Sequence, residues 1–243
     1  MQRYFVEPHQ MSDREVIITG DDVHHIVKVM RHSVGDSILV SNGEGRAALA
    51  RLTLLNAGEV RADIVEERNE VRELPIRVTI GQGLPKADKL EWIIQKGTEM
   101  GAYAFQPFSS ERTIVKLDEK KEGKKLERWQ KIAKEAAEQA HRHILPKVLN
   151  PTSFKNLLAS SESYSTRLIA YEQETSVRLK DVCETIAPGD SLLVLIGPEG
   201  GFSADEVALA QAAGFVSVQL GPRILRTETA SQYVLAALSF HFE

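Results

Sequence analysis

The chain of 243 residues holds one cysteine, Cys183. A single thiol closes no intrachain disulfide and builds no cysteine-based zinc cluster. A chain of this length buries a sizeable core without such staples, and a reducing, cytoplasmic compartment is expected. Long apolar runs are missing too. The longest strongly apolar stretch, 192–196, falls far short of the roughly 20 residues that a bilayer span needs, so no membrane partner is expected. The opening residues Met1-Gln2-Arg3-Tyr4 do not read as a secretory leader. There is no internal repeat and no low-complexity tract. Neither sign of charge is in strong excess: 30 Lys and Arg stand against 34 Asp and Glu, a net of -4. Taken whole, that balance argues against a nucleic-acid partner, although an average conceals patches.

What is present falls into two parts. In residues 1–72, short β-branched or alternating stretches lie at 3–6, 15–18, 37–40, 47–54 and 59–65. One helix interrupts them, with Asp21 or Asp22 as its cap and Val23, Ile26, Val27 and Met30 at helical spacing. Asn42-Gly43 marks a hairpin turn. Five short strands and a helix predict a small β-barrel. Residues 66–73 are almost wholly charged or polar and read as a linker, ended by Pro75. Over 73–243, strands at 76–80, 104–108, 168–171, 192–196 and 216–220 alternate with helices at 89–100, 123–142, 204–213 and from about Glu228. Alternating units with apolar strands predict an α/β domain, a parallel sheet covered on both faces. The long helix offers a buried stripe through Leu126, Trp129, Ala133, Ala136 and Ala140, and the last helix one through Ala230, Tyr233, Val234 and Leu238. Cys183 falls at an apolar helical position and reads as core.

Two segments carry the strongest chemical signal. Ile196-Gly197-Pro198-Glu199-Gly200-Gly201-Phe202 leaves an apolar strand and enters a helix that Ser203 can cap. Ligands of open α/β sheets bind at the carboxyl ends of the strands, and glycine there admits close backbone approach. A tight turn explains one glycine; three, with a proline and an acid, fit a ligand loop better. No Gly-Lys-Ser/Thr follows, so it is not a phosphate-cradling P-loop. The second segment, 220–230, also joins a strand to a helix, with Thr227 as a possible cap and Glu228 in the first turn, where the helix dipole favours an anion. Arg223 and Arg226 beside it suit a carboxylate or phosphate. The run Gly43-Glu44-Gly45-Arg46-Ala47-Ala48 imitates a dinucleotide fingerprint, but the residues after it alternate as a strand, and a hairpin is the better reading. His24-His25 and His141-x-His143 lack a third partner at ligand spacing and read as solvent-facing, so no metal is expected. There is no Gly-x-Ser-x-Gly elbow.

Resolved along the chain, the charge is uneven. Residues 112–147 hold 11 Lys and Arg against 6 Asp and Glu, while 148–243 hold 6 against 11. Lys116, Lys120, Lys121, Lys124, Lys125, Arg128 and Lys131 lie opposite the apolar stripe of the long helix or just before it. A solvated helix face supported by spaced Glu–Lys pairs accounts for this; so does a phosphate-contacting patch.

Together these residues resemble the RsmE type of bacterial rRNA methyltransferase, of the SPOUT superfamily. The likeness runs over the whole chain. It includes Arg31-His32, Gly35-Asp36, Asn42-Gly43, Lys86-x-x-Lys89, Lys96-x-x-Glu99-Met100-Gly101, Ser110-Glu111-Arg112, Glu138-Gln139-x-x-Arg142 and Ile144-Leu145-Pro146. Most specific are 196–202 and Leu220-Gly221-x-x-Ile224-Leu225-Arg226-x-Glu228-Thr229-Ala230. The resemblance implies a PUA-like, RNA-binding β-barrel over 1–72 and a trefoil-knotted α/β methyltransferase domain over 73–243. It implies a homodimer through the C-terminal domain and S-adenosylmethionine-dependent methylation of uridine N3 in 16S rRNA of the small ribosomal subunit. The implied cofactor residues are Tyr171, Glu172, Ile196, Gly197, Pro198, Glu199, Gly200, Gly201, Leu220, Gly221, Ile224, Leu225, Arg226 and Thr229. Uridine N3 must lose a proton before it can be methylated, so Glu172 or Glu228 is expected as acceptor and Arg226 or Arg112 as anion stabiliser. RNA contacts are expected from Arg3, Arg31, Lys116, Lys124, Lys125, Arg128 and Arg142, largely to phosphates. Two other classes stay open: a non-catalytic RNA-binding assembly factor, and a nicotinamide-dependent enzyme using residues 43–48.

Overall fold

The computed structural model describes residues 1–115 and 119–242; Lys116 lies outside them. The chain divides into two compact units, Met1–Glu73 with Ala137–Leu145, and Leu74–Ala136 with Pro146–Glu243. Among the described residues, no helix is long and apolar enough to cross a membrane.

The first unit is a curled five-stranded sheet. Its strands are β1 (Arg3–Phe5), β2 (Glu15–Ile18), β3 (Ser37–Ser41), β4 (Ala47–Leu55) and β5 (Val60–Arg68), in the order β1-β3-β4-β5-β2. Only β1 and β3 run parallel. Register shifts in the β4–β5 ladder bend the sheet, and the inward residues Tyr4, Val16, Ile18, Ile38, Val40 and Leu52 fill its core. The hairpin at Asn42 is real: Asn42 Oδ1 accepts the N–H groups of Glu44 and Arg46, and β4 follows as a strand, which removes the dinucleotide reading. Helix α1 (Asp21–His24) continues into a wider turn over His25–Val29. Its cap is Gly20, whose φ of +74° suits glycine, and not the expected aspartate.

Several surface expectations fail here because charged and polar side chains find partners within the unit. β5 reaches Arg68 because Glu67 pairs opposite Ala48 with its carboxylate on Arg46 at 2.6 Å, so the charged stretch 66–68 is ladder and not linker. Glu73 accepts Arg142 Nε at 3.0 Å and the backbone N–H groups of His143 and Ile144 at 2.9 and 3.0 Å. Arg3 Nη1 donates to the Arg142 carbonyl at 3.2 Å. Arg3 and Arg142, expected as RNA contacts, are therefore buried, and so is His143, expected in solvent. His25 is half-buried and hydrogen-bonded to the Tyr4 hydroxyl at 3.0 Å.

The second unit is an all-parallel sheet with helices on both faces. Its first part holds β6 (Arg77–Gly83), α2 (Lys89–Glu99), β7 (Ala104–Ser109), α3 (Glu119–Gln139), β8 (Lys147–Val148), β9 (Thr152–Ser153) and α4 (Phe154–Ala159). Then come β10 (Thr166–Ala170), α5 (Leu179–Cys183), β11 (Ser191–Ile196), α6 (Ala204–Ala212), β12 (Val216–Val218) and α7 (Thr227–Phe242). The order is β12-β10-β11-β6-β7-β8, with β9 also on β7. The apolar run of β11 reflects burial from two sides. Leu192, Val194 and Ile196 join the core under α2 and α7, whereas Leu193 and Leu195 join Phe108, Phe154 and Phe202 on the other face. Cys183 is buried as expected. Helix α3 stops short of residue 142 because His141 turns into the left-handed region at φ +59°. Tyr233, expected in the α7 stripe, is exposed.

Glu73→Ala would remove the carboxylate that accepts the buried Arg142 guanidinium and the His143 and Ile144 N–H groups. The expected loss of stability is about 3–5 kcal/mol, read from urea unfolding of the whole chain; a loss under about 1 kcal/mol would contradict the burial argument.

Candidate functional site

Parallel strands deliver their outgoing loops to one edge of the sheet. There the loops 171–178, 197–203 and 219–226, which follow β10, β11 and β12, surround a cavity of about 660 Å³. Tyr171 and Glu172 line it from the first loop. Ile196, Gly197, Pro198, Glu199, Gly200 and Gly201 line it from the second, and Leu220, Gly221, Ile224, Leu225 and Arg226 from the third. The expected cofactor residues thus converge, with one exception. Thr229 is exposed and outside the wall, because Thr227 and Ala230 occupy the cavity side of that helical turn.

The glycine loop is fastened outward at several points. From below, Thr227 Oγ1 donates to the Gly197 carbonyl at 2.6 Å and accepts Gln82 Nε2 at 2.8 Å, all three groups being buried. Thr227 is therefore a buried strut in the first turn of α7 and not the expected cap. On one flank, Glu199 Oε1 accepts Lys89 Nζ at 2.8 Å and the Lys86 N–H at 3.1 Å. Burial opposes ionisation of Glu199, but these hydrogen bonds outweigh it and hold the carboxyl below its ordinary range. The same bond holds the Lys89 ammonium above its own. On the other flank, Arg112 Nη1 donates to the Gly200 carbonyl at 2.8 Å, and Ser203 Oγ to Glu111 Oε2 at 2.7 Å. Ser203 caps α6 as expected, in a capping box with Glu206.

Two glycines are required by geometry. At Gly201, φ is +64° and a Cβ would sit 2.9 Å from Glu172 Oε1; at Gly197 a Cβ would meet the backbone of Gly201 at 3.0 Å. The Glu172 carboxylate thus lies at the cavity wall close to the bare backbone of Gly201. Glu228 is not in the wall. It stands behind Lys89, with Oε2 at 3.6 Å from Nζ. Arg112 is outside the wall too. Sequence reasoning missed Glu174, Thr175, Gln219 and Lys89, which do line the cavity. Glu174 accepts the N–H groups of Ser176, Val177 and Thr175, which hold its carboxyl below the ordinary range.

A model of the RNA methyltransferase domain matches residues 72–239, and one of the RNA methyltransferase PUA domain matches 18–65. The chain belongs to this RNA methyltransferase family. It is 46% identical to the ribosomal RNA small subunit methyltransferase E of Bacillus subtilis, over 100% of this chain and 98% of that one. The protein of that name from Synechocystis is 37% identical, over 98% and 77%. Among solved structures, the ribosomal RNA small subunit methyltransferase E of Neisseria gonorrhoeae bound to S-adenosyl methionine superposes with a TM-score of 0.87 at 34% identity, covering 99% of this chain and 97% of that one. A putative methyltransferase of Legionella pneumophila with bound SAM gives 0.83 at 28%, covering 97% and 96%.

Of the cations expected to meet RNA, Arg31, Lys124, Lys125 and Arg128 are exposed, and Arg128 pairs with Glu91 at 2.7 Å. Among the described residues, no three His, Cys, Asp or Glu are grouped to hold a metal ion.

Thr227→Val keeps the side-chain volume but takes from the buried Gly197 carbonyl its short hydrogen bond and from Gln82 Nε2 an acceptor, leaving only the Gln82–Gly197 contact at 3.5 Å. Stability should fall by about 1–3 kcal/mol, with Thr227→Ser close to the wild type. Equal unfolding midpoints for Thr227→Val and the wild type would show that the strut carries nothing.

Proposed function

We propose that the chain methylates N3 of a specific uridine in 16S rRNA of the small ribosomal subunit, using S-adenosylmethionine held in the cavity. The observation that carries this reading is the convergence of the three loops on one cavity. Its volume of about 660 Å³ lies within the range of sites for drug-sized ligands, roughly 300–1,000 Å³. The residues fit the ligand. Bare glycine backbone at Gly197 and Gly201 lets a nucleoside approach closely. The acids Glu172, Glu174 and Glu199 in the wall suit its cationic end, and the wall has no P-loop because none is needed. The bound ligand supplies an activated methyl on its sulfonium.

The protein then has to align a nucleophile and remove a proton. Glu172, at the wall and exposed, accepts the N3 proton of the target uracil. Arg226, also in the wall and exposed, stabilises the charge left on the ring. Glu228 acts behind Lys89, and Arg112 positions Gly200. Residues 1–72 carry the PUA-like RNA-binding role and 73–243 the methyltransferase role, although Glu73 and Ala137–Leu145 pack with the first unit. Arg31 on the first, and Lys124, Lys125 and Arg128 on the second, contact phosphates.

The sheet order supports a knotted path. The chain leaves edge strand β12 and returns to the middle of the sheet, where Thr227 meets Gln82 and Gly197. Homodimerisation through the C-terminal domain is supported by Trp92 on α2 and Tyr233 and Phe240 on α7, which are 49%, 39% and 86% exposed. The cytoplasm, where ribosomes are built, is its place.

Mass-spectrometric mapping of 16S rRNA from a strain lacking the chain should show one N3-methyluridine lost and restored by the wild-type protein; an unchanged map overturns the reading. Glu172→Gln should slow single-turnover methylation by roughly 10²–10⁴-fold while still binding S-adenosylhomocysteine. A normal rate would remove Glu172 as the acceptor.

A further inference from the structure

One group of charges at the cavity does not balance. Lys89 Nζ lies 2.8 Å from Glu199 Oε1 and 3.6 Å from Glu228 Oε2, one ammonium between two carboxylates. Glu228 Oε2 is shut off from solvent and accepts no hydrogen bond, so Lys89 compensates it at ion-pair distance only. The hydrogen bond from Lys89 goes to Glu199, which also takes the Lys86 N–H. The cluster as a whole therefore holds one excess negative charge, part of it buried and poorly screened.

The remaining charges of the wall are disposed differently. Glu174 keeps its charge, but three N–H groups of its own turn solvate it locally. Glu172, Arg223 and Arg226 are exposed, where water damps their fields. The field inside the cavity is thus set mainly by the one cluster that is partly withdrawn from solvent.

Resting on the cofactor reading above, we propose that the Lys89–Glu199–Glu228 cluster makes the cavity discriminate between the sulfonium of the methyl donor and the neutral thioether left after transfer. In the reaction, uridine N3 gives up its proton and takes the methyl group. The C–S bonding pair stays on sulfur, so the ligand loses one positive charge as the proton leaves the site. An excess negative charge attracts the ligand before that step and not after it. Lys89 tunes the difference: it is close enough to hold the carboxylates in place, and it cancels only one of them. The cluster is then a specificity device that favours release of product as well as a fastening of the glycine loop.

The test is calorimetric titration of the whole chain with S-adenosylmethionine and, separately, with S-adenosylhomocysteine. Glu228→Gln removes the excess charge, and the preference for the sulfonium ligand should fall about three- to tenfold. Lys89→Met uncovers a second carboxylate, and the preference should rise by a similar factor. If both variants bind both ligands with the wild-type preference, the proposal is wrong. Equal weakening of both ligands by Lys89→Met, with Glu228→Gln unchanged, would reduce the cluster to a loop fastening and also overturn it. Failure of the wild type to bind either ligand refutes the cofactor reading itself, and this inference with it.

Discussion

The hydrogen bond from the Thr227 hydroxyl to the Gly197 carbonyl is the contact on which the cavity rests. A loop with three glycines in five residues is entropically expensive to hold, since each fixed backbone residue costs about 1–2 kcal/mol and glycine more than most. Thr227 holds the first carbonyl of the loop, and Gln82 holds Thr227 from the central strand. Glu199 and Gly200 are then fastened to the two flanks by Lys89 and Arg112. The polar groups that a flexible loop would offer to water are directed outward into protein. What the glycines turn to the cavity is bare backbone, set among apolar groups such as Ile196 and Leu225 and the wall's charged side chains.

Charge follows the same division of labour. The overall net of -4 conceals a basic stretch over 112–147 and an acidic one over 148–243. The acidic stretch supplies Glu172, Glu174, Glu199 and Glu228, which stand in or behind the cavity wall. The basic stretch supplies Lys124, Lys125 and Arg128 on the exposed side of α3. An acidic cavity wall and an exposed basic helix face therefore coexist in one chain without large net charge.

Much of this is legible in the sequence. The alternation in 47–54 and the uniform apolarity of 192–196 report one-sided and two-sided burial directly, so the strands fell where the pattern put them. The cavity loops were legible because three glycines with a proline and an acid at one strand end are more than a tight turn needs. Cations and acids were harder to place. Arg3 and Arg142 read as surface groups, yet they are buried because Glu73, in a stretch read as a linker, accepts Arg142 and two backbone N–H groups. Tyr233 lies at helical spacing with buried residues and is nonetheless exposed, since the width of a buried stripe depends on what packs against it.

The amino-acid sequence by itself determined the two-part architecture, the positions of the longer strands and the loops that line the cavity, because periodicity and glycine placement act within a few residues along the chain; the short β8 and β9 left no such pattern. Only the tertiary structure decided which polar side chains face the cavity and which hold it together. Glu228 stands behind Lys89 instead of in the wall, Thr227 braces Gly197 instead of capping its helix, and Arg112 grips Gly200 from outside. Each of these roles depends on a partner distant in sequence, and the pairing of a charge or hydroxyl with such a partner leaves no local trace in the pattern of residues around it.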